Sequence, residues 1–87
     1  MNNDLLDANC VLQYLENMEI IKMHEWHDRN PSDHDFSLRF ENPKRIGEVT
    51  LLIVKRSNNY YIPRSRIAIL SIRHNFNADN IFIECAA

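Results

Sequence analysis

Along the first part of the chain, Leu5, Ala8, Val11, Leu12, Leu15 and Met18 recur at helical spacing. Asn3 or Asp4 supplies an N-cap side chain, and Asp4 and Asp7 complement the positive end of the helix dipole. The spacing predicts a helix from about Asp4 to Glu16. Were it to run on through Trp26, the face carrying Leu12 and Leu15 would present Glu19 and Lys22, and Ile20 and Ile21 would point away. That mismatch predicts a break near Asn17 and a strand from Glu19 to about His27. The stretch from Asp28 to Asp35 is all turn formers and charge, which predicts a loop.

From Phe36 the period changes to two. Phe36, Leu38 and Phe40 alternate with Ser37, Arg39 and Glu41, the pattern of a strand with one buried and one wet face. Asn42-Pro43-Lys44 reads as a turn. Val49 to Val54 is apolar on both faces and rich in β-branched residues, so it reads as a central strand covered on each side. Ser57-Asn58-Asn59 makes a tight hairpin turn into Tyr60-Tyr61-Ile62, because asparagine tolerates positive φ. Pro63 cannot donate to a ladder, so the second arm should bend near Pro63-Arg64-Ser65 before a strand resumes over Ile67 to Ile72. His74 to Asn80 reads as a loop and Ile81-Phe82-Ile83 as a last short strand. The predicted class is α+β: an N-terminal helix followed by a five-stranded, mostly antiparallel sheet that could curl into a small barrel.

Composition narrows this picture. A chain of 87 residues, 45% hydrophobic and 25% charged, is one small globular domain spanning residues 1–87 and is too apolar for disorder. So short a chain has a modest core, and association with a copy of itself or a partner is a usual remedy, so a homo-oligomer is plausible. The single glycine, Gly47, excludes Gly-rich phosphate loops and implies no nucleotide cofactor. No apolar run approaches the length of a membrane span. The two cysteines, Cys10 and Cys85, have no paired spacing of a metal or redox motif. Free thiols are the expectation, a bridge between them being geometrically open, and with no signal peptide this points to a cytoplasmic location.

The net charge of -2 hides an uneven distribution. Up to Phe36, Asp4, Asp7, Glu16, Glu19, Glu25, Asp28, Asp33 and Asp35 face only Lys22 and Arg29. From Ser37 to His74, Arg39, Lys44, Arg45, Lys55, Arg56, Arg64, Arg66 and Arg73 face only Glu41 and Glu48. Such asymmetry fits an acidic partner, or two halves that attract each other within the fold. In an extended segment Arg64 and Arg66 share a face, with Tyr60 and Ile62 ahead of them and Arg56 across the turn, giving an aromatic-then-basic track. On the predicted helix, Leu6, Cys10 and Tyr14 form a second apolar stripe away from the core face, where a copy or a partner could dock.

Imidazoles and carboxylates gather at His24, Glu25, His27, Asp28, Asp33, His34 and Asp35, but on a strand His24 and His27 point to opposite faces, and the bland reading of a solvated acidic loop prevails over a metal site. No nucleophile or acid/base set accompanies a cleft, so no enzyme is expected. The functional reading is a small non-enzymatic protein-binding module of inhibitor, antitoxin, immunity or adaptor type. It would act by covering a partner protein through Arg56, Tyr60, Arg64, Arg66, Leu6, Cys10 and Tyr14. The alternative is a nucleic-acid-binding sheet or barrel using Tyr60, Tyr61, Arg64, Arg66 and Arg73, against which stands a sequence pI near 6.0.

Overall fold

The antiparallel hairpin predicted around Ser57 organises the molecule. The computed structural model describes residues 4–22 and 35–87. Within them the chain runs β1 (Leu5–Asp7), α1 (Ala8–Asn17), β2 (Phe36–Glu41), β3 (Glu48–Arg56), β4 (Asn59–Pro63), α2 (Arg64–His74) and α3 (Asp79–Glu84). Arg56 pairs with Asn59 across Ser57, whose φ of 57° closes the turn between β3 and β4. Phe36, Leu38 and Phe40 of β2 pair opposite Ile53, Leu51 and Val49 of β3, which puts both apolar sets on one face. At the far end of this hairpin Gly47, at φ 125°, takes a backbone conformation that side chains disfavour.

The described sheet has four strands in the order β1-β4-β3-β2, not five, and it is not closed into a barrel. Two predicted strands are helices. Pro63 ends the β4 ladder, and its φ of -59° leads directly into α2, where Ile67 and Leu70 turn inward at helical spacing. In α3 and at its C-cap, Ile81 and Cys85 are each 1% exposed whereas Ile83 is 74% exposed. A strand would have set Ile81, Ile83 and Cys85 on one face, so the burial itself has helical period. The sequence signal was misleading because isoleucine and phenylalanine favour strands only where a sheet neighbour exists.

The N-terminal helix also starts later than its spacing predicts. Leu6 lies fully buried on β1, paired with Ile62 of β4, and Asp7 is the N-cap, its Oδ2 accepting from the Cys10 N–H at 2.9 Å. The predicted break near Asn17 is present: Glu19 takes φ 60°, and Ile20 and Ile21 fold back into the core. The strand read over Glu19 to His27 and the loop read over Asp28 to Asp35 lie mostly outside the described residues, and the described part, up to Lys22, is not a strand.

One hydrophobic cluster joins Leu6 and Ile62, the inner face of β3, Ala8, Val11, Leu12 and Leu15 of α1, Ile67 and Leu70 of α2, and Ile81 and Cys85 at the C-terminus. The helices thus share one face of the sheet. On the outer face of β3, Thr50 is exposed and Leu52 half-buried, and Val54 is buried at 4% exposure, so the expected cover on both sides is incomplete.

Both edges of β1 are occupied. Beyond β4 on one side, Ala86 forms an antiparallel bridge with Leu6 on the other, and the Asp7 N–H donates to the Cys85 carbonyl at 2.7 Å. The C-terminal segment is therefore a strap across the start of the chain. A disulfide between Cys10 and Cys85, Cα atoms 5.4 Å apart, staples it down. The thiols are not free, because α3 brings Cys85 over the first turn of α1.

Candidate functional site

α2 carries the clearest surface feature. Successive helical residues turn by about 100°, so Ile67 and Leu70 on the core side leave Ile69 and Ile72 roughly opposite them. Ile69 is 52% and Ile72 82% exposed, although Ile67 and Leu70 are buried. Arg66 and Arg73, seven positions apart, lie nearly in line along one border of this ridge. Neither has an ion-pair partner among the described residues, and α2 itself carries no acidic side chain. On the other border a shallow open groove of about 500 Å³ is lined by Asp4, Leu5, Pro63, Arg64, Ser65, Ala68 and Phe82. The Arg64 guanidinium sits over the Phe82 ring, 4.2 Å from its centroid, which anchors α3 to the start of α2.

The residues singled out from the sequence are dispersed by the fold. Leu6 is in the core, Cys10 is spent in the disulfide, and the Tyr14 hydroxyl donates to the Glu84 carboxylate. The supposed docking stripe on the first helix is thus covered from within by α3 and the C-terminal strap. The Tyr14–Glu84 hydrogen bond, with burial and the glutamate charge adding to it, holds the phenol above its ordinary pKa. Arg56 pairs with Asp35 at 2.9 Å, the acidic-half attraction foreseen as the alternative to a partner. Tyr60 is half-buried, edge-on to Phe36 and under the Lys55 ammonium. Tyr61, paired with Val54, points to the opposite face of β4 from Tyr60.

The aromatic-then-basic track on an extended segment is therefore not formed. Arg64 and Arg66 belong to a helix, where a separation of two places them on different sides. Ile69 and Ile72 were missed because β-branched residues suggested a strand. The signal available was Ile67, Leu70 and His74 at i, i+3 and i+7, followed by Asn75, whose φ of 55° is a left-handed helix stop.

At the end of α2, His74 borders a second hollow with Asn42, Lys44 and Arg45. The Asn42 amide nitrogen lies 3.5 Å from His74 Nδ1. Burial, then the charges of Arg45 and Arg73, hold this imidazole below its ordinary pKa. Among the described residues no three His, Cys, Asp or Glu side chains gather as a metal would require, and no helix is long and apolar enough to cross a membrane. Of the histidine and carboxylate cluster from His24 to Asp35, all but Asp35, which pairs with Arg56, lies outside the described residues. No protein-family model, curated protein or solved structure matches this chain.

Proposed function

We propose that this chain is a small non-enzymatic protein-binding module that acts by covering a partner protein. The observation that carries the reading is the outward ridge of α2, where Ile69 and Ile72 stand 52% and 82% exposed on a helix whose other side is locked into the core. Scattered surface apolar residues need no explanation. Two large ones adjacent on a rigid helix, beside an apolar groove and bordered by arginines, have the make-up of an interface centre with a charged rim.

The contact residues of this reading differ from those expected on the sequence. Arg66 is kept from that expectation, and Ile69, Ile72 and Arg73 take the place of Leu6, Cys10 and Tyr14, which the fold uses internally. Placement in the cytoplasm rested in part on unpaired thiols. The Cys10–Cys85 disulfide removes that part of the ground and favours an oxidising compartment for the working protein.

The test is affinity capture from the native host with the parent chain and an Ile69→Lys, Ile72→Lys variant. Both positions are exposed, so the variant should match the parent in melting temperature. A defined protein held by the parent and lost by the variant is the expected result. Nucleic acid in place of protein, or no protein that distinguishes the two chains, overturns the reading.

A further inference from the structure

We infer that the outward face of α2 receives an acidic amphipathic helix of a partner protein. This rests on the protein-binding reading above and names the chemistry its partner brings. An apolar ridge at Ile69 and Ile72, next to a groove walled by Ser65, Ala68 and Phe82 with Asp4 at its lining, offers a helix a seam in which to bury its own apolar stripe. Since α2 spans 11 residues, it is about 16 Å long and matches one short helix better than a broad surface.

Charge decides what kind of helix. Arg64, Arg66 and Arg73 give α2 three guanidinium groups and no carboxylate. Arg64 is engaged with Phe82, whereas Arg66 and Arg73 have no ion pair among the described residues. Their separation of two turns, about 10.5 Å along the axis, suits carboxylates at i and i+7 of a docked helix. The like-charged Arg45, which acts on His74 together with Arg73, extends the positive border past the end of α2. A second copy is the wrong occupant, because a two-fold contact of α2 with itself would set these arginines against each other with no carboxylate on α2 to separate them. Nucleic acid would satisfy the arginines but leave the two isoleucines of the ridge without apolar cover.

The probe is a synthetic helical peptide of about 18 residues, long enough to be partly helical alone, with leucines at helical spacing and glutamates at i and i+7 beside them. Its counterpart carries lysine at the glutamate positions. The parent chain should bind the acidic peptide with micromolar affinity, weakening as salt rises, as befits so small a contact. Arg66→Glu with Arg73→Glu should weaken it about tenfold or more and let the lysine peptide bind in its place. Melting curves of the variants, all at exposed positions, check that the fold is kept.

An acidic peptide that binds no better than its lysine counterpart overturns the inference, as does duplex DNA that binds more tightly than the peptide. The two levels separate in affinity capture. A protein partner lost with Ile69→Lys, Ile72→Lys but indifferent to the arginine reversals sinks the acidic helix and leaves the protein-binding reading standing. Capture of no protein at all sinks that reading.

Discussion

Reducing the Cys10–Cys85 disulfide should remove a large share of the stability of this domain. The bridge spans a sequence separation of 75 and so closes almost the whole chain into a loop. In the chain-entropy description, freeing the unfolded state from a loop of that length destabilises the fold by about 4.5 kcal/mol at 25 °C. At roughly 0.05–0.15 kcal/mol per residue, a domain of this size has a total stability of about 4–13 kcal/mol, so the reduced form should be marginal. The native contacts that remain at the strap include the Asp7–Cys85 and Leu5–Ala87 backbone hydrogen bonds and the Tyr14–Glu84 pair, beside the packing of Ile81 in the core.

Urea and thermal unfolding with and without a phosphine reductant measure the difference. Cys10 is only half-buried, so the reductant can reach the bond. At about 4–8 °C per kcal/mol for a small domain, the melting temperature should fall by roughly 20–35 °C. The urea slope should also rise, because an unlinked denatured chain exposes more surface. Maleimide labelling read by mass spectrometry reports the thiol state of each sample. Superimposable unfolding curves for a fully oxidised and a fully labelled chain would refute the loop-closure argument. Two reactive thiols in the protein as purified under air would refute the bridge itself.

Three further outcomes are expected. Ile53→Asp sets an unpaired carboxylate at a fully buried position of β3 and should abolish cooperative melting, while Thr50→Asp on the exposed face of the same strand should melt within a few degrees of the parent. Asp7→Ala removes the carboxylate that caps α1 at the Cys10 N–H and should cost about 0.5–2 kcal/mol in urea unfolding. The folded chain holds His74 below its ordinary pKa of about 6.5. The unfolded chain therefore binds more protons there, and stability from this residue, full above that value, is lost as pH falls from it toward the lowered folded one. His74→Gln should make the stability profile flatter across that window than the parent's, and parallel profiles would refute the assignment.

The strands β2, β3 and β4 were legible because their pattern is local. Phe36, Leu38 and Phe40 alternate, and Val49 to Val54 is a β-branched run with turn residues on both sides. Most of the candidate surface was not legible. Ile69 and Ile72 occupy a segment whose isoleucines fit a strand as well as a helix, and only the buried pair Ile67 and Leu70 shows the period. The helix α2 forms because Pro63 ends the ladder and, among the described residues, no further strand is there to pair with the segment after it.

What the sequence by itself determined was the α+β class, the position of the β3–β4 hairpin, the helical spacing from Ala8 to Leu15 and the uneven charge along the chain. The tertiary structure decided the contacts between residues far apart. Leu6 became a strand residue because Ile62 and Ala86 flank it, Ile81 to Cys85 became helical because only that period buries both ends against α1, and two cysteines 75 positions apart became one bond. Local propensity differs between helix and strand by about 1 kcal/mol or less per residue, whereas burying one large apolar side chain is worth about 1.5–3 kcal/mol, so where the two disagree the packing prevails.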